Sequence, residues 1–154
     1  NPAEGHLHAF GLRPDCADPR SLALDTAHAR LFAACNNRTL VVLNAADGSK
    51  VATLPIGPGV DAVSYDAERG LIFTANGGAE GSLTIIRQDV TDSYNVIQTL
   101  PTRQRAGTLA VDSQSGAVYL VTDYLGVDLN RPGGIGTLVQ TPIQGSFQVL
   151  KVAN

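Results

Sequence analysis

Three times along the chain a run of large, small and large residues ends in aspartate: Leu22-Ala23-Leu24-Asp25, Val63-Ser64-Tyr65-Asp66 and Leu109-Ala110-Val111-Asp112. Seven residues after each aspartate stands an aromatic residue, Phe32, Phe73 or Tyr119. The aspartates are 41 and 46 positions apart (66 minus 25, 112 minus 66). A period of this size marks one supersecondary unit used repeatedly, each unit burying its apolar face against the next.

Inside each unit the hydrophobic pattern alternates with period two and is broken by turn residues such as Thr26-Ala27-His28, Asn36-Asn37-Arg38 and Ala46-Asp47-Gly48, which predicts strands. Four strands fall in each unit. They cover 20–24, 30–35, 39–44 and 50–54 in the first, and 60–65, 71–76, 82–87 and 94–100 in the second. In the third they cover 107–111, 117–122, 135–141 and 146–152. The second strands, Leu31-Phe32-Ala33-Ala34, Leu71-Ile72-Phe73 and Val118-Tyr119-Leu120-Val121, are nearly continuous apolar runs, as sheets covered on both faces require. A sandwich with one wet face would alternate more cleanly. The predicted fold is therefore all-β: a β-propeller segment of three four-stranded antiparallel blades.

The blades run over about 14–57, 58–103 and 104–154, within a single partial propeller domain spanning residues 1–154. His6-Leu7-His8-Ala9-Phe10 alternates like an outer strand, so residues 5–11 are expected to belong to a preceding blade. Propellers close with about four to eight blades. Further blades are thus expected from an upstream part of the same protein or from a second copy. The upstream source is preferred, because unclosed blades leave edge strands and apolar faces open to aggregation.

At 154 residues, 44% hydrophobic and 16% charged, the composition is that of a globular domain. The formal net charge of −3 offers no general attraction for phosphate backbones or anionic lipid, so neither nucleic acid nor membrane insertion is expected. No run approaches the ~18 apolar residues that would cross a bilayer as a helix. The chain has no methionine and begins Asn1-Pro2-Ala3, so a translation start and any targeting segment are expected upstream.

Three segments carry a family resemblance: Leu54-Pro55-Ile56-Gly57-Pro58-Gly59-Val60-Asp61, Leu40 to Val51, and Arg69-Gly70-Leu71-Ile72-Phe73-Thr74-Ala75-Asn76. They resemble the YVTN repeats of β-propellers, the YncE-like and surface-layer-associated group. The resemblance covers about residues 14 to 122. It fades after Asp123, where an insertion runs to Gly136. Similar propellers occur as surface modules, and also in lactonases, in lyases and in subunits of periplasmic dehydrogenases, so the resemblance implies a scaffold more than an activity.

Cys16 precedes an inner strand and Cys35 ends the strand that should pair with it, which puts both at one end of a hairpin. A disulfide between them fits that placement and implies an oxidising compartment, periplasmic or extracellular. Two small buried residues would fit it as well. Asp25, Asp66 and Asp112 occupy equivalent turns of different blades, where a short carboxylate accepts hydrogen bonds from turn amides. His6 and His8 share one face of a strand but lack a third metal ligand, and His28 reads as an exposed turn residue. Asn76-Gly77-Gly78-Ala79-Glu80-Gly81 lacks the lysine and following helix of a phosphate loop and reads as a hairpin turn. No Gly-x-Ser-x-Gly elbow occurs. No catalytic residue, metal site or cofactor is assigned.

Loops after second strands and loops between blades share one rim of a propeller. That places Arg20, Asn36, Asp61, Asn76, Arg103, Arg105, Asp123 and Tyr124 at a channel mouth, where mixed charge suits a small polar ligand or plain solvation. Arg20 and Asp61 stand five residues before their aspartates and are expected to look into the channel. The insertion Leu125 to Gly134 is either a binding loop or disordered. The function these features favour is a secreted, non-catalytic binding or interaction module, probed against an unknown small polar ligand or surface protein. The alternative is part of a propeller enzyme whose active site needs further blades.

Overall fold

A computed structural model describes residues 7–12, 14–90, 92–127 and 140–153. Strands β1 (Pro19–Asp25), β2 (Arg30–Cys35), β3 (Thr39–Asn44) and β4 (Lys50–Pro55) form one antiparallel sheet in chain order. Strands β5 (Val60–Asp66), β6 (Leu71–Asn76), β7 (Ser82–Gln88) and β8 (Tyr94–Pro101) repeat it. The innermost strands stand side by side, β1 against β5 and β5 against β9 (Thr108–Val111), so each repeated aspartate closes the inner strand of its own sheet.

The large, small, large triplets explain the stacking. Val63 and Tyr65 face the first sheet and join Phe32, Ala34, Leu40 and Val42 in one core slab. Leu109 and Val111 face the second sheet and join Phe73, Ala75 and Leu83 in another. The small residue between them faces the following sheet: Ala23 packs into the first slab. Alternate residues of one strand thus serve two different interfaces, as the period of two demands. Phe32 sits at the centre of the first slab with its ring 5.2 Å from that of Tyr65 and 6.1 Å from that of Tyr94.

The third unit departs from the expected four strands. β10 (Val118–Thr122) is followed by β11 (Leu125–Val127) and β12 (Gln140–Pro142), which pair with each other in a separate two-stranded ribbon. β13 (Gln148–Val152), expected as the fourth strand, pairs directly with β10 and takes the third place in the sheet. Its Leu150 and Val152 reach the slab shared with the second sheet. Gln140-Thr141-Pro142 has no aliphatic side chain for that slab, and a proline is poorly placed inside a central ladder. Residues 128–139 of the insertion lie outside the described residues.

The strand expected at residues 5–11 is also absent from the described part, residues 7–11. An isolated segment has no ladder to join. Phe10 instead lies over Gly48, whose missing side chain makes room for its ring, and Leu12 packs on Cys16 and Cys35. Residues 5 and 6 lie outside the described residues.

Candidate functional site

Two rims carry the polar side chains. On the rim of the β1–β2 type turns, each repeated aspartate caps its turn. Asp25 Oδ1 accepts from the amides of Ala27 and His28, Asp66 Oδ1 from those of Glu68 and Arg69, and Asp112 Oδ1 from that of Gln114. The residue three positions on then donates to the other oxygen. It is His28 through Nδ1 at 2.7 Å, Arg69 through Nη1 at 2.9 Å, and Ser115 through its hydroxyl. These are the hydrogen bonds that the repeated Asp-turn predicts, extended by a side chain that the periodicity does not reveal.

The same rim ties neighbouring sheets together. Gln88 donates to Asp25, Arg30 forks onto Asp92 with Nε and Nη2 at 2.7 and 2.8 Å, and Arg69 donates to the carbonyls of Ser113 and Gln114. Burial opposes ionisation of Asp25, but hydrogen bonds from Gln88 and His28 outweigh it and hold the carboxyl below its ordinary value. Arg30 lowers Asp92 in the same way. Burial, reinforced by Asp92, pushes the nearby Tyr94 phenol up to about 12. A cleft of about 300 Å³ opens between His28, Arg30, Gln88, Asp89 and Asp92. His28 is therefore not a free turn residue: a buried carboxylate fixes its orientation while two thirds of its side chain, 65%, stays exposed.

The opposite rim holds the predicted mouth. Arg20 and Asp61 occupy bulges at the starts of β1 and β5, between Pro19 and Ser21 and between Val60 and Ala62. A bulge re-aims one side chain out of the ladder, and both of these are exposed. Arg20 pairs with Asp18 at 2.8 Å, and Asp18 also accepts from Asn36 at 3.2 Å. The Asp61 carboxylate lies over Gly107, where a Cβ would stand 2.5 Å from it.

Further round the rim a pocket of about 370 Å³ brings Arg103, Arg105, Asp123 and Tyr124 together with Glu80. Arg105 bonds Asp123 through Nε at 2.6 Å and Nη2 at 3.3 Å. Arg103 donates to the Tyr124 hydroxyl, its guanidinium 5.3 Å from the ring centroid. Four of the eight mouth residues thus share one pocket, while Arg20 and Asn36 cluster separately around Asp18.

Asn76 does not belong to the mouth. It is fully buried, its Nδ2 donating to the Thr74 carbonyl at 3.1 Å, to Ser82 and to Thr84 Oγ1 at 3.0 Å. Thr84 Oγ1 in turn accepts from the Gly57 amide. Asn76, Cys35 and Thr122 each stand ten positions after their aspartate (76 minus 66, 35 minus 25, 122 minus 112). Each fastens the segment that leads into its own sheet: Cys35 by a disulfide to Cys16, Asn76 through Thr84 to Gly57, Thr122 by a hydroxyl bond to the Gln104 carbonyl at 2.8 Å. The Cys16–Cys35 Cα separation is 5.4 Å. One site in the repeat thus solves one mechanical problem with three chemistries, and residue type alone hides the equivalence.

A cavity of about 850 Å³ lies along the segment from Phe10 to Pro19, where Asp18 is the one ionisable residue among the described residues that line it. Among the described residues no three His, Cys, Asp or Glu side chains converge as metal ligands, and no helix is long and apolar enough to cross a membrane.

No family model matches the chain, and no curated protein matches it. Seventeen chains of solved structures do. One is Kuenenia stuttgartiensis hydrazine synthase, to which the chain is similar at 10% identity with a TM-score of 0.59, over 77% of this chain and 33% of that one. The chain therefore spans about a third of that neighbour's length. At this identity the likeness shows the fold alone: an all-β, propeller-like arrangement of antiparallel sheets, matching a propeller-containing protein.

Proposed function

We propose that this chain is a non-catalytic binding module of a secreted propeller of the YVTN, YncE-like kind, taking a small polar ligand at the rim pocket of Arg103, Arg105, Asp123 and Tyr124. The observation that carries the reading is the convergence of two guanidiniums, two carboxylates and a phenol in one pocket of about 370 Å³ on a blade scaffold. Loops held by such scaffolds are where binding groups concentrate. Two arginines beside two carboxylates, Asp123 and Glu80, favour a ligand that carries both an anionic group and a donor. The disulfide supports a periplasmic or extracellular location. Further blades, from an upstream part of the protein or from a second copy, complete the ring.

A thermal-shift screen of small zwitterions, hydroxy acids and sugar acids tests the site. Stabilisation by a hit is expected to vanish in Arg105→Ala, whose unliganded stability falls by no more than about 1 kcal/mol because the ion pair it loses is exposed. Hits that stabilise the variant equally place the site elsewhere, with Arg20→Ala and Asp61→Ala the next variants to titrate.

A second reading, part of a propeller enzyme, draws on the Asp25–His28 pair, in which a buried carboxylate orients an exposed imidazole. Stoichiometric metal in the intact protein, or turnover lost in His28→Ala, favours it.

A further inference from the structure

The turn between β6 and β7 is gripped from both sides by the connectors that join the sheets. On the side of the connector into the second sheet, the Gly77 amide donates to the Gly59 carbonyl at 2.7 Å and the Gly78 amide to the Pro58 carbonyl at 3.1 Å. On the side of the connector into the third, the Thr102 amide donates to the Gly81 carbonyl at 3.1 Å and the Arg105 amide to the Gly77 carbonyl at 2.9 Å. Glu80 stands on this turn and lines two cavities. One is the rim pocket of Arg103 and Arg105. The other, about 320 Å³, reaches the first connector and is walled by Gly57, Pro58, Ser82, Thr99 and Pro101.

The charges around the rim pocket are not equally available. Arg105 and Asp123 are paired at 2.6 Å and neutralise each other. Arg103 donates to a neutral phenol, that of Tyr124, and lies against its ring. Among the described residues Arg103 meets no carboxylate and Glu80 meets no cation. One guanidinium and one carboxylate are thus left to a ligand. The Thr102 hydroxyl, which lines the same pocket, is buried without a hydrogen-bond partner, an arrangement that costs free energy until something bonds it. The second cavity has a different character. Glu80 is the one ionisable residue among the described residues that line it, and the rings of Pro58 and Pro101 give it apolar walls.

We infer that the rim pocket takes an α-amino acid with an uncharged side chain, its carboxylate on Arg103, its ammonium on Glu80 and its side chain over the turn in the cavity walled by Pro58 and Pro101. The α-carbon of such a ligand carries all three groups, and Glu80 is the one residue that lines both cavities. The guanidinium fork of Arg103 matches a carboxylate, and the Glu80 carboxylate accepts a charge-assisted bond from an ammonium group. Arg105 has a different part: it keeps the Asp123 carboxylate from repelling the one on the ligand. The inference rests on the reading of the rim pocket as a ligand site and adds the class of the ligand.

Calorimetric titration of the purified chain with L-valine, 2-hydroxyisovalerate and isobutylamine separates the three groups. Valine is expected to bind about tenfold or more tightly than either analogue, since each analogue lacks one charge-assisted contact. Glu80→Gln should remove the difference between valine and the hydroxy acid, with an unchanged circular dichroism spectrum because Glu80 is exposed. Thr99→Phe fills the second cavity from an exposed strand position and should weaken valine while leaving glycine unaltered. A hydroxy acid that binds as tightly as valine, a valine affinity unchanged in Glu80→Gln, or equal effects of Thr99→Phe on valine and glycine overturns the inference. In the first of these cases, loss of the hydroxy acid in Arg105→Ala leaves the rim pocket standing as a site for another class of ligand. If neither valine nor glycine binds, the inference falls, and the pocket reading survives only where another anion of the thermal-shift screen binds and is lost in Arg105→Ala.

Discussion

Gln88 of the second sheet donates from Nε2 to Oδ2 of Asp25 in the first at 2.9 Å. This bond turns a local turn cap into a rivet between sheets, because the same oxygen also accepts from His28 and its neighbour accepts two turn amides. The carboxyl itself is 1% exposed.

Replacing Asp25 by alanine therefore strands several donors at once. Leaving part-buried donors unpaired costs more than the bonds themselves contribute, and a loss of about 2–4 kcal/mol is expected. The pH dependence has a definite sign. The folded-state value of Asp25 lies below its ordinary one, so its contribution is fully present above the unfolded value of about 3.9 and is lost as pH falls through the folded value. Urea unfolding across the acid range should show the wild type losing stability more steeply than Asp25→Asn. Parallel curves would show that Asp25 ionisation does not support the fold.

The local half of this arrangement was readable from sequence and the long-range half was not. An aspartate recurring before a turn announces amide acceptance, since a short carboxylate in that place has few other partners. Gln88 lies 63 positions away and recurs at no period, so nothing in the pattern ties it to Asp25. The strands of the first two sheets were legible because their apolar faces alternate against two neighbours. The third was misread because alternation alone does not say which of two segments joins the ladder. That was decided by Leu150 and Val152, which have a core to fill, while Gln140-Thr141-Pro142 has none. At the mouth, shared rim geometry placed Arg103, Arg105, Asp123 and Tyr124 together, but asparagine is an exposed residue by habit and the burial of Asn76 followed from a partner, Thr84, on the next strand.

The clamp at the tenth residue after each aspartate gives a second test. Reduction of Cys16–Cys35, or Cys16→Ser with Cys35→Ser, frees the segment leading into the first sheet and opens a loop with a sequence separation of 19. The chain-entropy model puts the loss at about 3 kcal/mol, or roughly 6–12 °C in Tm for a domain of this size. Differential scanning calorimetry with and without reductant measures it. An unchanged Tm would mean that the segment is held without the covalent bond. Hydrogen exchange should localise the loosening to residues 10–19, because the equivalent clamps at Asn76 and Thr122 are untouched.

Glycine substitutions separate backbone strain from close approach. Gly81 and Gly145 both have left-handed backbones, with φ of 66° and 79°. A Cβ at Gly145 meets nothing within 4 Å, whereas one at Gly81 would run into the Arg103 carbonyl, held there because the Gly81 carbonyl accepts from the Thr102 amide at 3.1 Å. Gly145→Ala should therefore cost only the left-handed penalty, about 1–2 kcal/mol. Gly81→Ala adds a steric term that can be relieved only by pushing residues 102–105 away, and a total nearer 3–4 kcal/mol is expected. That segment carries Arg103 and Arg105 into the rim pocket, so Gly81→Ala should also weaken any ligand that Arg105→Ala weakens, while Gly145→Ala leaves it bound. Chemical denaturation gives the two stabilities and the thermal-shift titration gives the two affinities. Equal costs in both variants would show that the connector yields freely, and the pocket would then owe its shape to something other than the glycine turn.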